Sequence, residues 1–414
     1  MSEQDESNEL VLNIGGEIEQ SAAARVFHQG VQFDIAKFEE RQPEVDELVA
    51  KYPNNLERRV RELNRKIRNW DDDYGISYLD IAGGELPGLE IHGVAEKFSF
   101  SGNSAPGANF EGARMNASLF TASDLSGLNA RRASLDSAIF LMTALERANL
   151  EDVSAIDANF NLADLTDANV RGANLSSAYL LGTRGLSEEL LKEMADVTAA
   201  RALIPVEEAE KRVSEILREG LAGRFIDVQD QDIRNRLDQV LVINGLNLSK
   251  ALLDQKRMEG MILDNVILNK TRLVDRDFTA NIWHRLHAAE IVLRAARAAG
   301  LLVLNSDLHD ADLTKIWTPG SLFVRSSLRG ASMPGPGTNV AGAVFLDTDL
   351  EKMDTTNANF DGALVVGGTV SEFPENSRVK TARLSELPRS VGARLAEFGR
   401  LAIAVQKERP ALPG

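Results

Sequence analysis

Residues 108–127 read ANFEG ARMNA SLFTA SDLSG, so that a small residue opens each group of five and a large apolar residue stands third. The pattern continues to residue 182 without a shift of register. The third-position column comprises Phe110, Met115, Phe120, Leu125, Ala130, Leu135, Phe140, Leu145, Leu150, Ala155, Phe160, Leu165, Val170, Leu175 and Leu180. Neither the helical period of 3.6 residues nor the strand period of two produces such a pattern. A period of five predicts a chain that turns a corner every five residues and winds into a solenoid filled by the two columns.

A second stretch follows the same rule in another frame, from Ile243 to Val365. Its pattern is interrupted between Phe278 and Leu304, and again at residues 334–337, which read PGPG. We expect the core of the two stretches to include Phe110, Phe120, Leu125, Phe140, Leu150, Phe160, Leu165, Leu175, Leu263, Phe323, Phe345 and Phe360.

The groups Ala148-Asn-Leu, Ala168-Asn-Val and Ala173-Asn-Leu follow the motif A(N/D)LXX. By this motif the chain resembles the pentapeptide-repeat family. The resemblance implies a mainly β protein, folded as a right-handed quadrilateral β-helix with four pentapeptides in each coil. In this chain the repeats would form two such blocks with helical segments around them.

The segments outside the repeats have helical patterns. Residues 279–304 are rich in alanine and contain Gly300 near their end, a residue type that commonly terminates helices. The predicted organisation is an N-terminal helical or capping region at 1–94, a first β-helix at 95–183, a helical spacer at 184–240, a second β-helix at 241–372 with a helical insertion at 279–304 and a loop at 334–337, and a C-terminal helix at 373–414.

Two terminal helices carry narrow apolar seams, each with two interpretations. The first seam contains Leu56, Val60, Leu63, Ile67 and Trp70, and would dock on the first coil as a cap or form a short coiled-coil dimer. The second seam, in the C-terminal helix, would cover an open β-helix end or form a homodimer. The candidate dimerisation residues are Val391, Leu395, Phe398 and Val405.

Composition excludes several classes of protein. The chain has 414 residues, a formal net charge of −16 and no cysteine, which removes disulfide frameworks, thiolate metal sites and cysteine nucleophiles. Its acidic start resembles no secretion signal and no apolar run is long enough for a membrane span, so we expect a cytoplasmic protein. The acidic balance disfavours direct binding to nucleic acid or to anionic lipid.

Catalytic and metal-binding patterns are weak. His284 and His287 are spaced to share a helix face but lack partners with ligand spacing. The cluster His309-Asp310-Ala-Asp312 falls, in the five-residue frame, on outward positions of a coil. Asn or Asp before the central residue is expected to hydrogen-bond the turning backbone. We therefore expect no enzyme activity, no cofactor and no metal site.

A scaffold that binds a protein partner through rigid β-helix faces is the favoured function. Some members of the pentapeptide-repeat family resemble DNA and bind bacterial type II topoisomerases such as gyrase, so the resemblance also implies a topoisomerase partner. An alternative is a structural component of a phage or secretion particle, or a secreted bacterial effector, and we expect a homodimer or a larger assembly. Candidate partner-binding residues are Trp283, Arg285, Arg294, Asp310, Asp312, Pro334 and Pro336.

Overall fold

The computed structural model describes residues 42–52, 58, 61–62, 65–66, 84–93, 95, 98–203, 230–240, 242–249, 258–370, 373 and 379–406. The helices are α1 (Gln42–Lys51), α2 (Glu188–Glu193), α3 (Gln231–Arg236) and α4 (Arg389–Gln406), with a 3-10 turn at Leu384–Glu386. The strands are β1 (Ala200–Leu203), β2 (Leu237–Gln239), β3 (Val242–Asn244), β4 (Ile262–Asp264), β5 (Ile282–His284), β6 (Leu302–Leu304), β7 (Leu322–Val324), β8 (Val344–Leu346), β9 (Leu364–Val366) and β10 (Lys380–Ala382).

The first β-helix is a stack of coils in which, from Ser99 to Arg184, every fifth residue pairs in parallel with the residue 20 positions later, as in Asn109 with Asn129. The third-position side chains fill its axis, where Phe140 stacks between Phe120 and Phe160 with ring centroids 4.8 Å apart on each side. The parallel pairing begins at Glu85 and reaches Arg201, so this block extends beyond both predicted boundaries, 95 and 183. The helix α2 interrupts the last coil but does not end it, because Asn174 and Asp196 still pair across it.

Local chemistry explains the corners of the coils. The residue two places after each central residue is left-handed, with φ of 56° at Ala117 and 72° at Gly172. Where the residue before a central residue is Asn or Asp, its side chain bonds the backbone across the turn, as Asp164 Oδ1 accepts from the N–H of Thr166 at 3.1 Å. This is the role expected for Asn and Asp at that position.

The second β-helix contains an eight-stranded parallel ladder in the order β10-β9-β8-β7-β6-β5-β4-β3. The predicted helical insertion at 279–304 is wrong, because these residues form coils that include β5 and β6. The reason lies in the inward side chains. In one unit of this stretch the large residue occupies the first inward position and alanine the second, namely Leu286 with Ala288, and both are buried. The filled volume is preserved while the alanine-rich sequence imitates a helix.

The two β-helices lie side by side and run in opposite directions. Ser99, early in the first block, lies against Gly362 and Gly342 of the second, whereas Tyr179, late in the first block, lies against Gly260. A column of small residues at left-handed corners of the second block makes this approach possible. The column consists of Gly260, Ala280, Gly300, Gly320, Gly342 and Gly362.

Side chains of the first block bond the backbone of this small-residue column. Thr121 Oγ1 donates to the carbonyl of Gly320 at 2.5 Å, and Asn159 Nδ2 donates to the carbonyl of Gly300 at 3.1 Å. Asn161 Nδ2 donates to the carbonyl of Ala280, also at 3.1 Å. Apolar side chains of both blocks, including Ile139 and Leu302, join one buried cluster at this contact.

The helix α4 lies in the groove between the two β-helices. Val391, Leu395, Phe398 and Ala402 of α4 share the buried cluster with Leu304, Val324, Leu346 and Val366 of the second block. On the other side, Arg394 forms an ion pair of 3.0 Å with Glu146 of the first block.

The N-terminal part is described only in α1 and a few residues after it. Leu48 of α1 is buried in the core cluster of the first block. The predicted apolar seam of residues 56–70 lies outside the described residues, because Leu56, Val60, Leu63, Ile67 and Trp70 are all outside them. The choice between cap and coiled-coil dimer for that seam stays a prediction.

Candidate partner-binding surface

Among the residues that the structure describes, each β-helix presents faces that other parts of the chain cover and faces that are open. The covered faces are those between the blocks and under α4. One open face of the first block, here called the ladder face, consists of residues 109–112, 129–132, 149–152 and 169–172. One open face of the second block, here called the bulge face, consists of residues 272–275, 292–295, 312–315, 332–337 and 354–357.

The bulge face is named after its loop at residues 334–337, where the coil contains two more residues than its neighbours. Thr338, whose side chain is fully buried, holds the loop. Its hydroxyl donates to the carbonyl of Pro334 at 3.0 Å and accepts from the N–H of Lys315 at 2.9 Å. Pro336 at the tip is exposed. The loop is therefore a braced projection on an otherwise flat face.

Charged side chains surround the loop. Arg294 Nη2 and Asp312 Oδ2 form an ion pair of 2.6 Å on successive coils of the bulge face. The pKa of Asp312 lies below its usual value, because hydrogen bonds from Thr314 and Arg294 outweigh the opposing effect of burial. Asp310, on the adjoining corner, is exposed. Five of the seven predicted partner-binding residues thus lie on or beside the bulge face: Arg294, Asp310, Asp312, Pro334 and Pro336.

The prediction that Trp283 meets a partner is wrong. Its side chain occupies the axis of the second block, is 1% exposed and packs edge-on against Phe278 at 5.2 Å. It is one of the inward central residues of a coil, which the helical reading of residues 279–304 concealed. The indole Nε1 has no hydrogen-bond partner in the described structure.

Arg285 also lies away from the bulge face, in a buried polar cluster. Its guanidinium holds both carboxylate oxygens of Asp264, which also bonds His284 Nδ1 at 2.9 Å. Asp264 and His284 are each 1% exposed. Burial lowers the pKa of His284 despite the opposing Asp264, while hydrogen bonds from His284 and Arg285 lower the pKa of Asp264 against its burial. Arg285 therefore neutralises a buried carboxylate, so partner binding by Arg285 would compete with this structural role.

The predicted dimerisation residues are already covered within the chain. Val391, Leu395 and Phe398 lie on the face of α4 that packs against the second block, and they are buried there. The side chain of Val405 lies outside the described residues. Neither the cap nor the dimer interpretation describes this position, in which α4 lies along the groove. Dimerisation through these residues stays a prediction that requires α4 to leave the groove.

The ladder face has a different chemistry from the bulge face. Asn109, Asn129, Asn149 and Asn169 form a ladder of side-chain hydrogen bonds from coil to coil. Beside it, Arg131 lies 3.8 Å from Glu111 and 3.6 Å from Glu151. The polar groups of this face largely bond one another, so few remain for a ligand.

Sequence reasoning missed two features that shape these surfaces. Thr338 stands two places before the central residue Val340, at the first inward position of its unit, and that position could have identified it as the brace of the loop. The small-residue column between the blocks repeats at a spacing of 20 residues, or 22 across the loop, which is a visible signal in the sequence. All twelve predicted core side chains are buried.

Neither a metal site nor a membrane span is found in the parts of the chain that the structure describes. Over these residues no group of three or more His, Asp or Glu side chains is placed to hold a metal ion. In the same residues no helix is both long and apolar enough to cross a bilayer.

Comparison with known proteins identifies the repeat. The family model of pentapeptide repeats matches residues 113–152 and 145–182, with eight copies. No curated protein matches the chain. HetL, a pentapeptide repeat protein involved in heterocyst differentiation regulation from the cyanobacterium Nostoc, is 18% identical, with 67% of this chain and 89% of HetL covered and a TM-score of 0.16. QnrB1, a plasmid-mediated fluoroquinolone resistance protein, is 11% identical, with 71% of this chain and 95% of QnrB1 covered and a TM-score of 0.17.

Proposed function

Since the chain is a pentapeptide-repeat protein, we propose that it is a non-enzymatic scaffold that binds a protein partner through its bulge face. The observation that supports this proposal is the braced loop at residues 334–337. A regular β-helix needs no extra residues, and this projection is held by a buried threonine instead of being left loose. Rigid projections lose little conformational entropy on binding, which favours affinity.

The chemistry of the bulge face indicates a protein partner of mixed charge. Three basic and three acidic side chains belong to it: Arg272, Arg294, Lys315, Asp275, Asp312 and Asp354. Such a face is neutral as a whole but carries strong local charges. Complementary charges across an interface steer association and fix the orientation of the partner.

A bacterial type II topoisomerase, bound by mimicry of DNA, is the more specific form of the proposal. The charge pattern of the two named faces does not favour it. The ladder face also balances three arginines, Arg131, Arg132 and Arg171, against three acids, Glu111, Glu151 and Asp152. DNA presents one sign of charge at regular spacing. Gyrase supercoiling assays at micromolar protein test this form directly, and an unchanged rate would remove it.

A pair of matched charge reversals tests the scaffold proposal. Arg294→Glu reverses one partner of an exposed ion pair on the bulge face, and Arg132→Glu does the same for the pair with Asp152 on the ladder face. Immobilised wild-type protein and both variants are incubated with one lysate of the source organism, and bound proteins are identified by mass spectrometry. We expect a protein that the wild type and Arg132→Glu retain and that Arg294→Glu loses.

A further replacement separates charge from shape. Deleting residues 335–336 restores the 20-residue coil and removes the projection. If the same partner binds the deletion variant, Arg294→Glu and the wild type with equal affinity, the bulge face is not the binding surface.

A further inference from the structure

The groove that holds α4 has two chemically different walls. One wall is apolar and consists of Leu304, Val324, Leu346 and Val366, one from each of four successive coils of the second block. The other wall belongs to the first block and carries the carboxylates of Asp124 and Glu146, and also Arg184, which lies 3.9 Å from Glu397 of α4. Burial would raise the pKa of Asp124, but hydrogen bonds from Ser390 and Ser126 together with Arg394 lower it, so this carboxylate stays charged beneath α4.

The helix α4 is complementary to both walls. Its apolar residues Val391, Leu395, Phe398 and Ala402 follow a spacing of four, three and four, which places them on one face. Arg394, next to this face, pairs with Glu146 at 3.0 Å. At the far end, Asn305 Nδ2 donates to the carbonyl of Ala402 at 2.9 Å.

The coils beneath α4 are complete without it. The ladder from β3 to β10 pairs every strand with its neighbour in order, and α4 is not a member of it. The contact between the two β-helices through Gly300 and Gly320 is likewise made by the coils themselves. The helix is therefore added to a groove that the two β-helices already form.

From these observations we propose that the groove is a binding site for an amphipathic helix of a partner protein, and that α4 is a competing occupant of it. The partner helix carries apolar residues at the spacing of four, three and four, with an arginine directly before the second of them. This arrangement is the helix-in-groove mode of recognition, in which Glu146 of the first-block wall selects arginine. The site is separate from the bulge face and does not depend on it.

The affinity of the groove for a second helix depends on how often α4 leaves it. A groove that its own helix fills most of the time binds a second helix with an affinity reduced by the fraction that is free. Leu395→Asp places a charge in the apolar cluster and should drive α4 out of the groove. The groove of this variant is then available in nearly every molecule.

The probe is a fluorescein-labelled peptide with the sequence of residues 387–406, measured by fluorescence anisotropy against the full-length chain. We expect the Leu395→Asp chain to bind the peptide at least about tenfold more tightly than the wild type. Adding Glu146→Arg to that chain should weaken binding, and a peptide with Arg394→Glu should restore it. Far-UV circular dichroism and sedimentation velocity should show both variants folded and monodisperse.

Three results would overturn the proposal. The first is a Leu395→Asp chain that is folded but binds the peptide no better than the wild type. The second is a chain with both Leu395→Asp and Glu146→Arg that binds the wild-type peptide and the Arg394→Glu peptide equally. The charge at position 146 would then select nothing. The third is a Leu395→Asp chain that does not fold, because the coils would then depend on α4 and the groove could never be vacated.

Discussion

Replacing Gly300 by alanine tests whether the small-residue column holds the two β-helices together. A Cβ at this position would lie 2.5 Å from Nδ2 of Asn159 and 3.1 Å from Cγ2 of Ile139. Asn159 would have to move, and its hydrogen bond of 3.1 Å to the carbonyl of Gly300 would be lost. A buried donor left without a partner costs about 1–3 kcal/mol. The left-handed backbone at Gly300, with φ of +60°, adds about 1 kcal/mol for any residue with a Cβ.

The matched control is Gly112→Ala. Gly112 occupies the same corner position of a coil, with φ of +69°, but a Cβ there would have no atom within 4 Å. It should therefore lose only the backbone cost of about 1 kcal/mol. In equilibrium urea unfolding followed by circular dichroism, we expect Gly300→Ala to lose about 1–3 kcal/mol more than Gly112→Ala.

A double mutant completes this test. In a chain that already carries Asn159→Ala, only Cγ2 of Ile139, at 3.1 Å, still crowds the new Cβ. Gly300→Ala should then cost only a little more than Gly112→Ala. Equal losses for the two glycine variants in the wild-type background would refute the reasoning. So would an undiminished cost of Gly300→Ala in the Asn159→Ala chain.

Two further predictions concern the core and the buried histidine. Phe140→Ala should lower the free energy of unfolding by about 3–5 kcal/mol, because Phe140 is stacked on both sides. The control Leu246→Ala, at an exposed site, should change it little. A loss below about 1 kcal/mol for Phe140→Ala would mean that the axis repacks. Burial lowers the pKa of His284, so the unfolded chain takes up a proton that the folded chain refuses, and stability should fall as the pH drops below about 6.5. His284→Asn should reduce this loss of stability at low pH. His309→Asn should increase it, because Asp307 raises the pKa of His309 in the folded chain. A pH profile of stability that both variants leave unchanged would contradict this assignment.

The five-residue pattern was sufficient to predict both β-helices, because each coil repeats the same inward positions. In the first block, Phe120, Phe140 and Phe160 stand one coil apart in the sequence and stack in the structure. The pattern failed where the two inward positions exchange sizes. Ile316 with Thr318, like Leu286 with Ala288, keeps the large residue first, and both members of each pair are buried. A rule based on one column cannot recognise such a coil, whereas the combined volume of both columns can.

The arrangement of the two blocks could not be predicted from the repeat. Outward positions of a β-helix coil look alike in the sequence whether they face water or another coil. Leu119, Ile139 and Leu162 gave a signal, because they are apolar on positions that are polar elsewhere. Their partner surface is the small-residue column, five glycines and Ala280, which carries little hydrophobic signal. The interruptions at 279–304 and 334–337 are the reason for proposing Arg294, Pro334 and Pro336 as partner-binding residues. The same interpretation misplaced Trp283.

Because the two β-helices run in opposite directions and touch once per coil, the number of coils in one block constrains the number in the other. Contacts between the blocks repeat once per coil on both sides, and moving along one block means moving backwards along the other, from Ser99 at Gly362 to Tyr179 at Gly260. Loss of one coil from a single block would leave a glycine of the other without a partner, whereas a coil lost from both at matching heights would restore the contact. The entry of the first block and the exit of the second also lie together, since Gly84 adjoins Pro388. Natural variants of this double rod should therefore gain or lose coils in pairs.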